Sequence, residues 1–544
     1  MSLGDCAAPV EVRYLQERRS GAVRIFELRF RSHDIEGEPL WVYALLGLPD
    51  APGPVPGLLH IHGGLQTACP ETVGEFAARG YAVLSFDWFG PTAARSPEVT
   101  TVFPAVIPQI DDRAVPVERT RIFHAVHIAR RGLSLLASRP EVDGARLGVF
   151  GISWGGFMTW LVNGQDRRVK AAIPVFGSGI TVAPTEQDRA WRAAFQPEHV
   201  AATQHGAVLF LNGTNDFFGH VADAQRLCGR LPVEHRALLA PNENHGLWPE
   251  MLPTAVAWWN HHLKAGPALP AGPRLALSQE AEQMGVTVVD PAAIRVVVYY
   301  SYGTADRAPG GFWREAKVAG ERTFSAVVPL WQGVSRLQVL ALAHYADGSV
   351  LSGFPETREI AGAGLKPPPE EITHRLYDPA DGISPWFSQW RWRRTEILPT
   401  VGRLEIITAG EQGKSYLRFD RGRALAEGEP GFDLMLRSPS CPLVAKAGRR
   451  VLELELIVPE GGTCEVTASA AGDNDILEAG PSWSARQAIL PRPGAQTIRF
   501  APEEFQGDAS TAGQAFGFGS LNQLRLRLWW PGTVRPLVGR IRLA

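Results

Sequence analysis

Residues 148–158 read GVFGISWGGFM, and the fold of the first half of the chain turns on the place of Ser153 within them. Gly151, Ile152, Ser153, Trp154 and Gly155 spell G-x-S-x-G, with a further glycine at 156. ARLGVFGIS in front reads as a strand, and SWGGFMTWLVNG behind it as a helix. A chain that turns from strand to helix around one residue strains that residue and crowds its neighbours, so glycine on both sides meets a steric need. The turn lifts the serine hydroxyl above the sheet and aims a helix N-terminus at it, where negative charge is favoured. An ordinary turn serine is the plainer alternative; the strand before and the helix after argue for a nucleophile.

A neutral serine needs a histidine base and an acid to orient that base. Both are expected on loops after later strands, the acid first. GAVLFLNG (206–213) is followed by TNDFFGH, which presents Asp216, and HRALLAP (235–241) is followed by NENHGLWPE, which presents His245. Each interval is long enough for a helix and a strand. His220 falls inside the predicted helix after Asp216 and reads as a packing or pocket residue, Asp223 as a helix-surface residue, and Glu243 as a minor alternative to Asp216. HIHGGLQTA (60–68) ends a strand in HGG and can expose backbone N–H groups where an oxyanion would form. Gly64 is the expected first donor, with Leu65 as alternative, and the N–H of Trp154 the second. His62, Trp88 and Phe217 are candidate pocket residues, although His62 can equally hydrogen-bond within its loop. Asp87 reads as a loop-ordering or pocket residue.

Outward from this site, three regimes are visible. In residues 1–266 short β-branched runs alternate with helical patterns such as ETVGEFAARG (71–80) and RTRIFHAVHIARRGLSLLASRP (119–140). Nearly all-apolar strands alternating with helices predict an α/β domain with a mainly parallel sheet covered on both faces. The first two strands, 23–30 and 40–49, are amphipathic and suit an antiparallel edge. In 270–362 the helical signal vanishes and a small β-sandwich is expected. AGAGLKPPPEE (361–371) reads as a linker, and 372–544, with period-2 runs between glycine and proline turns, as a jelly-roll-like β-sandwich. The proline-rich stretch 90–118 is the first suspect for substrate selection.

The bulk numbers narrow the functional classes. Across 544 residues, 54 lysines and arginines face 56 acidic residues, a net charge of -2, which gives no electrostatic reason for nucleic acid or an anionic membrane as partner. The densest basic run, RWRRTE (391–396), reads as a solvated strand edge or inter-domain contact. Five cysteines without a CxxC pair do not make a disulfide scaffold; Cys441 and Cys464 could pair inside a C-terminal β domain or equally stand as free buried thiols. No run of about 18 apolar residues and no leader-like segment occurs. A soluble chain is expected, cytoplasmic, or exported if a leader has been removed.

HGG at 62–64, GISWGG at 151–156, Asp216, His245 and AWWNHHLKAG (257–266) resemble the α/β-hydrolase superfamily, particularly its dienelactone hydrolase, acetyl xylan esterase and prolyl oligopeptidase branch. The resemblance covers roughly residues 20–265. It implies Ser153 as nucleophile, His245 as base, Asp216 as its orienter, and the Gly64 and Trp154 amides as oxyanion hole. It implies no metal or organic cofactor. A dienelactone hydrolase proper uses cysteine where this chain has Ser153. Attached β-sandwiches accompany many carbohydrate-active esterases, so the leading expectation is a serine esterase or deacetylase acting on a small-molecule or oligosaccharide ester. A peptidase of the prolyl oligopeptidase or X-Pro dipeptidyl type is the alternative, and a carbohydrate-binding protein with a vestigial hydrolase domain a third reading. ISPWFSQWRWRR (383–394) could offer a sugar platform through Trp386, Trp390 and Trp392, or equally pack against the catalytic domain, and no role is assigned to these residues.

Overall fold

The computed structural model describes residues 9–92, 95–110, 112–180, 185–303, 311–361, 364–382, 386–387, 404–409, 413–419, 431–436, 441–446, 448, 451–470, 481–511, 513–530 and 534–544. Trp390, Trp392 and the basic run at 391–396 lie outside the described residues, whereas Trp386 is buried against Tyr377, ring centroids 4.9 Å apart, and presents no face for a sugar.

The first region is built on nine strands: β1 (Val12–Ser20), β2 (Val23–Ile35), β3 (Glu38–Pro49), β4 (Val55–Ile61), β5 (Ala82–Phe86), β6 (Val142–Ile152), β7 (Val169–Val175), β8 (Ala207–Gly213) and β9 (His235–Ala240). They form one sheet in the order β1-β2-β3-β5-β4-β6-β7-β8-β9. The first three strands and the β3–β5 pair are antiparallel, and every pair from β5 to β9 is parallel. The amphipathic edge is therefore present, with β1 added outside it. β1 escapes the sequence reading because VRYLQERRS, exposed along almost its whole length, has little apolar pattern.

Seven helices connect the strands: α1 (Pro70–Ala78), α2 (Arg121–Ser138), α3 (Trp154–Asn163), α4 (Arg189–Phe195), α5 (Pro197–Val200), α6 (Val221–Cys228) and α7 (Met251–Lys264). Successive residues of a strand point to opposite faces, and β4 shows it. Leu58 lies with Trp259 and Leu263 of α7 over Gly148, while Leu59 lies with Leu84 against Gly132 of α2. Phe150, between Phe76 of α1 and Trp259 of α7, extends the first of these faces. Burial on both faces explains the all-apolar central strands.

Beyond α7 the described strands form antiparallel sheets. Arg274–Glu280, Gln283–Val289, Thr323–Pro329 and Val318–Glu321 make a four-stranded sheet; Arg295–Gly303, Arg336–His344 and three short strands make a five-stranded one. Thr323–Pro329 alternates exposed and buried residues with period 2, the mark of a sheet with one face in a core. Residues from Arg375 onward form two further six-stranded sheets. Cys441 and Cys464 are both buried, unbridged thiols, the second of the two readings their sequence leaves open.

The edge strand β9 is covered by the second region. Ser352 donates its N–H to the Ala237 carbonyl (2.9 Å) and accepts the Leu239 N–H on Oγ (2.9 Å), and Val350 donates to Thr254 Oγ1 of α7 (2.9 Å). Hydrogen bonding on this edge blunts the tendency of a free strand to pair elsewhere.

Candidate active site

β6 ends at Ile152 and α3 begins at Trp154, leaving Ser153 as the turn with φ 60° and ψ -121°. Few non-glycine residues adopt such a backbone, and it persists here because both backbone groups are held. The Ser153 N–H donates to the Val175 carbonyl and its carbonyl accepts the Phe157 N–H, each at 2.9 Å.

Asp216 lies on the loop after β8 and His245 on the loop after β9, so the parallel order of the strands brings both to the edge where Ser153 stands. His245 Nε2 is 2.8 Å from Ser153 Oγ, and Nδ1 is 2.8 Å from Asp216 Oδ2. The second carboxylate oxygen accepts the Phe218 N–H at 2.6 Å. With Nδ1–H donated to the carboxylate, Nε2 carries the lone pair and accepts from the serine hydroxyl. Asp216 is 1% exposed and His245 7%, with the rings of Phe176 and Phe217 at 4.4 and 4.7 Å from the imidazole. A chain of this kind, shielded from water, can move a proton from the serine as its oxygen attacks an electrophile.

The neighbouring acid and base candidates stand elsewhere. His220 is the N-cap of α6 rather than an interior residue, half-exposed and 4.0 Å from Asp223, which lies in the first turn of that helix. Glu243 contributes its carbonyl, which accepts the Asn215 N–H at 2.9 Å.

The loop after β4 packs onto the serine turn. A Cβ on Gly64 would lie 2.9 Å from Cδ1 of Trp154, so the two residues expected to supply oxyanion donors are in contact. Gly63 gives its N–H to Gln66 Oε1 (2.8 Å), and Leu65 has φ 59° with its side chain exposed.

The three pocket residues divide. Phe217 lies against His245 and is part-exposed. His62 and Trp88 are fully buried beneath the loop instead of lining its open face. His62 Nδ1 is 2.7 Å from the Gly63 carbonyl, Trp88 Nε1–H donates to the His62 carbonyl (2.8 Å), and Asp87 Oδ2 accepts the N–H groups of Gly90 (3.0 Å) and Thr101 (2.7 Å). Asp87 is thus a loop-ordering residue. Phe176 is likewise fully buried, whereas Trp154 and Phe218 reach the surface in part.

Several residues of this edge were not picked out from the sequence. Trp191 of α4 stands edge-on to Trp154 at 6.4 Å; Phe218, which the sequence does place on a loop at this edge, lies 4.9 Å from the same indole. Arg113, from the irregular stretch 90–118, holds its guanidinium 5.0 Å above the Trp191 ring and 6.0 Å from that of Trp154. Arg121 anchors that stretch to α2, donating to the carbonyls of Phe89 (2.8 Å), Ile107 and Pro108 (both 3.2 Å), and burial lowers its pKa to about 10. Asn215, Asn242 and Asn244 knit the Asp216 and His245 loops together; their signal was the asparagine flanking each site residue in TND and NEN.

Among the described residues one group could present three metal ligands: Glu234, His261 and His262, whose ligand atoms lie within 4.8 Å of one another. It sits at the start of β9, and a strand of that length spans about 20 Å, so it lies at the other end of the sheet from His245. Arg236, 3.2 Å from Glu234 Oε1, already occupies the carboxylate and opposes a cation.

A mainly parallel sheet, a strained serine between strand and helix, and Asp216 and His245 on the next two strand ends define an α/β-hydrolase domain. Residues 42–246 match the sequence model of the dienelactone hydrolase family, in agreement with the α/β-hydrolase fold of this part of the chain. No curated protein sequence matches the chain. Similar solved structures include an acetyl xylan esterase from Paenibacillus sp. R4, with 20% identity and a TM-score of 0.39 over 47% of this chain and 89% of that one. Acetyl xylan esterase 1 from Thermoanaerobacterium sp. JW/SL YS485 has 16% identity and a TM-score of 0.36 over 46% and 87%. A puromycin-hydrolyzing peptidase of Mycobacterium tuberculosis has 17% identity and a TM-score of 0.34 over 48% of each chain. Likenesses of this size carry no functional argument. No helix among the described residues is long and apolar enough to cross a membrane.

Proposed function

We propose that the protein is a serine hydrolase of carboxylic esters, with Ser153 as nucleophile, His245 as general base and acid, and Asp216 as the orienter of His245. The observation that carries this reading is the unbroken chain Ser153 Oγ–His245 Nε2 and His245 Nδ1–Asp216 Oδ2, 2.8 Å at each link. His245 takes the hydroxyl proton as Oγ adds to the ester carbonyl. The oxyanion is held by the N–H groups of Gly64 and Trp154. The intermediate collapses, and His245 returns the proton to the departing alcohol. Water, deprotonated by His245, then attacks the acyl-enzyme, releasing the acid and restoring Ser153.

Trp154 and Phe218, part-exposed rings 4.9 Å apart beside Ser153 with the buried Trp191 behind them, support a sugar ring as the alcohol or its neighbour, because flat apolar rings stack on carbohydrate faces. An acetylated small molecule or oligosaccharide is the substrate class proposed, with neither nucleic acid nor membrane required. The proposed domains are 1–266 for catalysis, and 270–362 and 372–544 as attached β domains.

The test is hydrolysis of p-nitrophenyl acetate, an acetylated oligosaccharide and an aminoacyl-p-nitroanilide by wild type and Ser153→Ala. Acetate release from the sugar, reduced by several orders of magnitude in kcat in the variant, is expected. Near-wild-type turnover by Ser153→Ala would overturn the assignment, and cleavage of the anilide alone would move the enzyme to the peptidases.

A further inference from the structure

The loops that carry Asp216 and His245 do not stand on the hydrolase domain alone. Asn242, three residues before His245, is fully buried with φ 61°, a left-handed backbone that asparagine tolerates better than most residues. Its amide pairs with the backbone of Trp313 in the second region: Nδ2 donates to the Trp313 carbonyl (2.9 Å) and Oδ1 accepts the Trp313 N–H (2.7 Å). Asn215, immediately before Asp216, is 1% exposed and donates Nδ2 to the carbonyls of Gly311 (2.9 Å) and Asn242 (3.2 Å).

The two loops are also tied to each other. The Asn242 N–H donates to Thr214 Oγ1 (2.9 Å), the Asn215 N–H to the Glu243 carbonyl (2.9 Å), and the Phe217 N–H to Asn244 Oδ1 (3.1 Å). Backbone at 311–313, the acid loop and the base loop therefore meet in one buried hydrogen-bonded junction. Three of its bonds cross from the second region, and every such group is costly to leave unpaired when buried.

We propose that Asn215 and Asn242 are positioning residues through which the 270–362 β region sets the Asp216–His245–Ser153 geometry, making that region part of the active-site machinery instead of an appended module. The proposal rests on the serine-hydrolase reading above for its kinetic consequence. A displacement of about 1 Å in such a constellation costs on the order of 100-fold in rate, and loss of the clamp releases two of the three side chains.

The test uses the full chain and three variants. Asn242→Gly keeps the left-handed backbone but removes both bonds to Trp313; Asn215→Ala removes those to Gly311 and Asn242. Ser352→Ala is the control, because it removes an Oγ that bonds the same two regions at Leu239, within β9 and not on the loops that carry Asp216 and His245. The asparagine variants are expected to lose about 10- to 100-fold in kcat with KM within about threefold, and Ser352→Ala to stay within about twofold in both. The second readout is independent of turnover: the low-field proton NMR resonance of the His245–Asp216 hydrogen bond, expected to shift or vanish in the asparagine variants and to persist in Ser352→Ala. Wild-type kcat and an unchanged resonance in Asn242→Gly and Asn215→Ala would overturn the proposal. A wild-type protein that shows the resonance but hydrolyses no ester would instead defeat the serine-hydrolase reading, leaving the clamp to be decided by the resonance.

Discussion

A Cβ on Gly155 would stand 1.9 Å from the carbonyl oxygen of Ile61. The first turn of α3 and the end of β4 thus touch backbone to backbone, and the chain leaves Ile61 directly for His62, Gly63 and Gly64. Neither partner can give way without moving the nucleophile turn against the oxyanion loop. Gly155→Ala is expected to destabilise by about 3 kcal/mol, the upper range for overpacking, and to lower kcat together with the melting temperature. Gly74, inside α1, would place its Cβ with nothing within 4 Å. Gly74→Ala is expected to stabilise by about 0.5–1 kcal/mol with activity unchanged. Paired thermal melts check both, and equal melting temperatures for the two variants would contradict the steric account.

The strain at Ser153 predicts a trade between stability and activity. At φ 60° and ψ -121° a side chain costs about 1–3 kcal/mol that glycine does not incur. Ser153→Gly is therefore expected to melt higher than Ser153→Ala while both lose hydrolysis. Calorimetry on the two inactive proteins isolates the backbone cost, since neither retains the hydroxyl bonded to His245. A lower melting point for Ser153→Gly would mean the turn stores no such strain.

Much of this site was written locally. G-x-S-x-G fixes a turn through glycines whose replacement the backbone forbids, and the acid and base follow because parallel strands deliver successive loops to one edge. Exposed β1 carried too little apolar pattern to be seen. His62 and Trp88 illustrate another limit. Their position after strand ends gave the correct edge but not the side of the loop, which depends on where the indole and imidazole find buried partners. TND and NEN mark the asparagines beside Asp216 and His245 but not what they clasp: the partners are backbone groups about 70 and 100 residues away, and backbone leaves no residue type to recognise.

Three histidines outside the site predict acid sensitivity. His33 of β2 stacks on His124 of α2 with rings 5.0 Å apart and Nε2 2.7 Å from its Nδ1, and lies 4.4 Å from His127. Burial first, then the neighbouring imidazoles and the guanidiniums of Arg121, Arg130 and Arg131, lower His33 to about 3 and His124 and His127 to about 4. The folded protein therefore binds fewer protons here than the unfolded chain, whose histidines titrate near 6.5. Their contribution to stability is complete above about pH 6.5 and is lost as pH falls from there toward about 4. Melting temperature is expected to drop between pH 7 and pH 4.5, and less steeply in His33→Gln, which removes one titrating ring. Identical slopes for the two proteins would place the acid sensitivity elsewhere.

The cysteines predict a slow thiol assay. Cys228 and Cys464 are 1% and 0% exposed, and burial raises both thiols well above the ordinary value, so the reactive thiolate is scarce. Cys69 is used within the fold, its Sγ accepting the Thr72 N–H at the start of α1, and Cys441 is 5% exposed. Ellman's reagent is therefore expected to reach these four only at the rate of opening or unfolding. All five cysteines of the sequence should titrate at once in guanidinium without reductant, since Cys441 and Cys464 are not bridged. A denatured count of three would reveal a disulfide and reverse that reading. Rapid release of Cys228 or Cys464 from the native protein would show that their cores open far more readily than their burial implies.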